Sequence, residues 1–178
     1  MNIKSNVKTI TLTSLLLAIC VVSQFIKNIN VYVTGSIVNT CLIISVLYCG
    51  CYSGVILSVV TPVTSFFITG SPIIASLPII MPLIMIGNII LVICISLLKD
   101  RYKKLIIIPM IIGITLKSIF MGITISLIVL SFFLPENMLA KKEVFQFTFS
   151  LIQLITGIIG SVLASIILRA VSGRSKLM

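Results

Sequence analysis

Long apolar runs fill this chain, and charged residues appear almost only at their margins. A helix needs about 20 mostly apolar residues to cross the hydrocarbon of a bilayer, fewer where polar ends snorkel or neighbours thin it. On that measure the pattern predicts six spans, at roughly 9–26, 35–49, 52–69, 80–98, 105–133 and 145–170. The expected fold is all-α: a bundle of six transmembrane helices forming a single integral membrane domain over residues 1–178. The second and third spans are separated only by a tight turn through Gly50, Tyr52, Ser53 and Gly54, and one long bent helix is the competing reading there. The first run follows Lys4 and Lys8 as a signal peptide would, but no clear small-x-small cleavage site follows it, so it is read as a mature helix.

Charge decides the orientation. Six spans with an inside N-terminus place Lys4, Lys8, Lys99, Arg101, Lys103, Lys104, Arg169, Arg174 and Lys176 in the cytoplasm. Only Lys27, Lys141 and Lys142 then lie outside, a bias in the sense of the positive-inside rule. Merging the doubtful pair and reversing the N-terminus weakens that bias, so both termini are expected on the cytoplasmic side. Three prolines, Pro72, Pro78 and Pro82, punctuate the run after the third span. The stretch from Ser71 to Ile80 is therefore expected to be a non-helical outer loop, either a lid on the mouth of the bundle or a plain connector.

Composition supports the membrane class and narrows the partners. Hydrophobic residues make up 59% of the 178 and charged residues 9%, too few to cover a water-soluble domain with a polar shell. The net charge of +10 arises from 13 Lys and Arg against three acids. Because the basic residues edge apolar runs instead of forming a stripe interleaved with aromatics, they point to anionic membrane lipid and not to nucleic acid. The five cysteines lie in or beside apolar segments and read as small buried residues; the pair Cys49 and Cys51 lacks the His or second pair that a metal site needs.

The chain has no His, its acids Asp100, Glu136 and Glu143 all fall in expected loops, and no phosphate-binding Gly-rich loop with Lys-Ser/Thr occurs. An intramembrane hydrolase or an ion-driven carrier needs such groups within its spans, so no enzyme and no cofactor is expected. Uphill transport by this chain would need energy from another subunit. Within the spans remain Asn39, Asn88, Lys117 and Gln153. At 1.5 Å per residue from the expected outer ends, Asn39 lies about 6 Å deep, Asn88 about 9–12 Å, Gln153 about 12 Å and Lys117 about 17–25 Å. Four residues on four helices thus define one candidate substrate pocket, open outward with an ammonium at its floor, suited to a small solute bearing a carboxylate, phosphate or ring carbonyls. For the amides, glue between helices is the plainer explanation. For Lys117, which no acid within the spans neutralises, a carbonyl cage and snorkelling compete with substrate contact.

Small residues also carry a pattern. Ser14 and Ala18 lie one turn apart on the first span, and Gly157, Gly160, Ser161, Ala164 and Ser165 line the last. Such faces let another helix approach closely. Packing within the bundle is the default for the last span; for the first, docking onto a separate membrane protein is equally open.

The segments Thr34-Gly-Ser-Ile-Val-Asn39, Thr61-Pro62, Gly87-Asn88 and Lys117, with the small pair on the first helix and the Pro-rich outer loop, make this chain similar to the substrate-binding S components of energy-coupling factor (ECF) vitamin transporters. The resemblance runs over nearly the whole length. It implies a binding subunit of an ABC-type importer in the cell membrane, which captures a vitamin or related micronutrient at the outer face. It also implies partners: a transmembrane scaffold subunit and two cytoplasmic ATPases. The family's Ala-x-x-x-Ala docking pattern falls on Ser14 and Ala18, with a serine small enough to take the place of the first alanine. The loop motifs of the folate, riboflavin, thiamine and biotin members are not present, so the substrate is open, with Lys117 favouring an anion. A stand-alone facilitator or channel is the alternative function, and a structural or assembly subunit a third.

Overall fold

A computed structural model describes residues 3–102 and 105–175. Lys103, Lys104 and Lys176, counted above among the cytoplasmic charges, lie outside the described residues. The first helix, α1, spans Ile3–Gln24; α2 spans Val31–Ile44 and runs on through a wider π turn to Cys49; α3 spans Cys51–Thr69. A single turn, α4 (Pro72–Ser76), precedes α5 (Ile80–Leu98). Next comes α6 (Ile107–Met121), which continues through a π segment at Gly122–Val129 into the short α7 (Leu130–Phe132). After a 3₁₀ stretch at Glu136–Lys141 the chain closes with α8 (Lys142–Phe149) and α9 (Leu151–Ser175).

Six of these units are long and apolar enough to cross a membrane, and no strand occurs among the described residues. The protein is thus an all-α, multi-pass membrane protein. An even number of crossings puts both ends on one side, and the excess of basic residues there makes that side the cytoplasm. Large apolar side chains such as Phe25, Phe67, Leu97 and Phe132 are exposed on the outside of the bundle, where acyl chains replace water as the contacting medium.

Local chemistry explains the joints. Asn30 caps α2, its side-chain oxygen accepting from the backbone N–H of Tyr32 at 3.0 Å and Val33 at 3.1 Å. This start, at Val31, lies one turn earlier than the apolar pattern suggested. Residues 35–69 form two helices and not one bent one: Gly50 sits at φ 95°, a conformation closed to residues with a Cβ, and turns the chain back. Hydroxyls within the spans mostly return to their own helix, as Thr61 does to the Leu57 carbonyl at 2.6 Å, so little polarity faces lipid.

Two expectations need correction. The stretch Ser71–Ile80 is not wholly irregular, because Pro72 stands at the first position of α4, where its missing N–H costs nothing and its fixed φ suits a helix. The last span is not one continuous helix either. At Ser150 the backbone turns to φ −115°, ψ −84°, leaving α8 as a separate short segment at the outer end.

Helices α2 and α9 make the most extensive pairing, which Gly160 permits: a Cβ there would meet Asn39 Cβ at 2.8 Å and the Ser36 carbonyl oxygen at 3.0 Å. The small face of α9 thus serves packing inside the bundle. The cytoplasmic half is filled by Leu42, Leu57, Leu91, Ile95, Met110 and Ile114. A second apolar cluster, with Ile73, Ile80, Met121, Ile125, Leu130 and Phe149, closes the outer half around α4, α6 and α8.

Candidate functional site

Between the two apolar clusters lies a cavity of about 270 Å³, and Asn39, Asn88, Lys117 and Gln153 all line it. Its floor is set by sequence spacing. Asn39, Asn88 and Lys117 each stand about one helical turn on the outer side of a core residue, respectively Leu42, Leu91 and Ile114. The solid cytoplasmic half thus ends where the polar residues begin.

Lys117 is only 3% exposed, so it neither faces lipid nor snorkels to a surface. Its Nζ donates to Asn39 Oδ1 at 2.7 Å, and Asn39 Nδ2 in turn donates to Thr156 Oγ1 at 3.4 Å. This chain joins α6, α2 and α9. Neutral acceptors orient an ammonium without cancelling its charge, and no carboxylate lines the cavity among the described residues. The side-chain amides of Asn88 and Gln153 have no hydrogen-bond partner among the described residues, which leaves both available to a guest. Asn39 is therefore an orienting residue for Lys117 as well as part of the wall.

The structure adds residues that the linear pattern did not disclose. Lys27, counted above as an outer-loop charge, folds back into the cavity and donates to Ser65 Oγ at 2.6 Å. Burial lowers its pKa from the ordinary lysine value. Gln24 also lines the cavity, its Nε2 donating to the Thr61 carbonyl at 3.0 Å while its Oε1 is buried with no partner. Lys27 lies beyond the apolar run, and no periodicity marks such a residue as inward-facing. Only the turn joining α1 to α2 does so. The same holds for Thr156, indistinguishable in sequence from the hydroxyls that merely bond their own helix.

The roof is apolar. Ile73 and Ile74 of α4 and Phe145 and Phe149 of α8 belong to the outer apolar cluster and line the cavity. A reciprocal pair fastens α8 to the π segment of α6: Ser126 Oγ donates to the Gln146 carbonyl and Gln146 Nε2 donates to the Ser126 carbonyl, each at 3.0 Å. The Pro-rich stretch thus contributes cover to the cavity instead of merely linking two spans. Chemically the site offers two lysine side chains, open amides and greasy walls. No cluster of three or more potential metal ligands occurs among the described residues.

A family model described as the ECF transporter, substrate-specific component, matches residues 8–172. This chain belongs to that family. As an S component it is a substrate-binding subunit of a transporter and not an enzyme. No curated protein and no solved structure matches it. On the lipid-facing side of this S component, Ser14 and Ala18 are both exposed on α1, whereas Leu16 and Cys20 turn inward. Ala18 borders a shallow apolar groove with Ile19, Val22 and Ile37. The two small residues therefore do not pack within the bundle.

Proposed function

We propose that this S component captures a vitamin or related micronutrient at the outer face of the cell membrane, in the cavity between α1, α2, α3, α5, α6 and α9. The substrate-binding residues are Asn39, Asn88, Lys117 and Gln153. A transmembrane scaffold subunit and two cytoplasmic ATPases then supply the energy for uptake, the scaffold docking against Ser14 and Ala18. One observation carries this reading: a lysine ammonium, held by a single neutral acceptor and with no carboxylate near it, forms the floor of a cavity in the outer half of a membrane bundle. Holding a charge there costs about 2.5–3.5 kcal/mol on insertion scales. A structural lysine would be paired within the protein, whereas one that awaits an anionic guest is left with donors to spare.

The exposed small face supports the partner half of the proposal, because Ser14 and Ala18 allow another helix to approach where larger side chains would hold it off. The test is co-expression with a scaffold and its ATPases, followed by uptake into proteoliposomes. ATP-dependent accumulation by the complex, with none by the isolated chain, is the expected result. Solute flux through the isolated chain would instead favour a stand-alone facilitator.

A further inference from the structure

The cavity holds two ammonium groups, and their positions carry information about the guest. The Thr34 hydroxyl donates to the Ser23 carbonyl at 2.8 Å, which sets the outer part of α2 level with the end of α1. Asn39, and with it the Lys117 ammonium, lies five residues deeper, roughly 7 Å at the helical rise per residue. On α3, Ser65 lies one turn outward of Thr61, which puts the Lys27 ammonium roughly 6 Å above the level of Gln24. The two charges are therefore on the order of 10 Å or more apart along one cavity.

Each ammonium has three N–H donors, and one of them is engaged by a neutral oxygen among the described residues. The walls of the cavity combine apolar Val31, Val38, Ile84 and Phe149 with the uncharged amides of Asn88 and Gln153. Nothing on the lining balances the two positive charges. A neutral or cationic guest would leave both uncompensated, and a single acid group would compensate only one.

We propose that the cavity binds an elongated small organic dianion: one acidic group on Lys117 at the floor and the other on Lys27 at the outer end. This rests on the receptor reading above and specifies its substrate class. Lys27 is then a specificity-determining residue, because it separates dianions from the monoanions that Lys117 alone would accept.

The test uses the full chain in lipid nanodiscs, purified from cells grown in rich medium, as wild type, Lys27→Gln and Lys117→Met. Small molecules retained through size exclusion are released by denaturation, identified by mass and methylated to count their acidic groups. The expected result is one molecule with two acidic groups on the wild type, retained at least ten-fold less by each variant. Glutamine keeps a hydrogen-bonding end near Ser65, and an unfolding temperature matching wild type verifies its fold. Ser65→Ala, which unseats the ammonium without removing its charge, provides an independent reduction in retention. A retained molecule with one acidic group or none, a phospholipid, or undiminished retention by Lys27→Gln overturns the dianion and leaves the receptor standing. A wild type that retains no molecule overturns the receptor reading and the dianion with it.

Discussion

Replacing Lys117 with methionine, similar in length but neutral, removes the charge and is the sharpest probe of the cavity. In the wild type the ammonium is 3% exposed and bonded to Asn39 Oδ1 at 2.7 Å. Two effects on the empty protein oppose each other. Removing a charge from the middle of the bundle relieves about 2.5–3.5 kcal/mol. Leaving Asn39 Oδ1 without its donor costs about 1–3 kcal/mol. The unliganded variant should therefore lie between about 2.5 kcal/mol more stable and about 0.5 kcal/mol less stable than wild type, since the two terms largely offset each other. Binding has no such compensation. A charge-assisted hydrogen bond to an anionic guest contributes about 1.5–3 kcal/mol, so affinity should fall about 10- to 100-fold. Thermal unfolding in nanodiscs measures the first quantity, and titration with the molecule recovered from wild-type protein measures the second. Unchanged affinity would remove Lys117 from the site. A joint loss of folding and binding would mean that the ammonium is a structural element held by Asn39.

Three further outcomes test other parts of the molecule. Ser14→Trp and Ala18→Trp, both on the exposed face of α1, should abolish transport by the assembled complex while leaving binding by the isolated subunit within about two-fold; equal loss of both activities would assign that face to the bundle. Gly160→Leu forces a side chain into a gap where even a Cβ comes within 2.8 Å of Asn39, so it should cost about 1–3 kcal/mol in unfolding measurements and lower affinity by displacing the partner of Lys117. The third concerns pH. Burial lowers the pKa of Lys27, so between its folded value and the ordinary lysine value the unfolded chain binds more protons, and the stability of the empty protein should rise with pH across that window. Anion binding requires the charged form, so affinity should fall across the same window, and should still do so in Lys117→Met, where Lys27 is the one titratable group left among the described lining residues. A flat affinity profile would show that Lys27 does not meet the guest.

The number of crossings and their orientation were legible along the chain, because both depend on local composition. An apolar run inserts whatever its neighbours, and basic residues stay in the cytoplasm by their own charge. Depth counted at a fixed rise per residue spread the four polar residues from about 6 Å for Asn39 to about 17–25 Å for Lys117, whereas the structure joins those two directly at 2.7 Å, a meeting that such a count, carrying no tertiary information, does not disclose. Which way each side chain faces needs that information, since rotation of a helix about its axis is decided by packing. The Asn39–Gly160 contact turns Asn39 toward α9 and Lys117, and nothing in either helix alone sets that angle. Lys27 enters the cavity because the α1–α2 turn folds it back, Gln24 because the last turn of α1 faces inward, and Ser150 breaks an apolar run that reads as continuous so that α8 becomes part of the roof. Sequence by itself therefore determined what crosses the membrane and which polar groups lie within the spans. Only the packed bundle decided which of those groups face one another, because that depends on contacts between residues far apart in the chain.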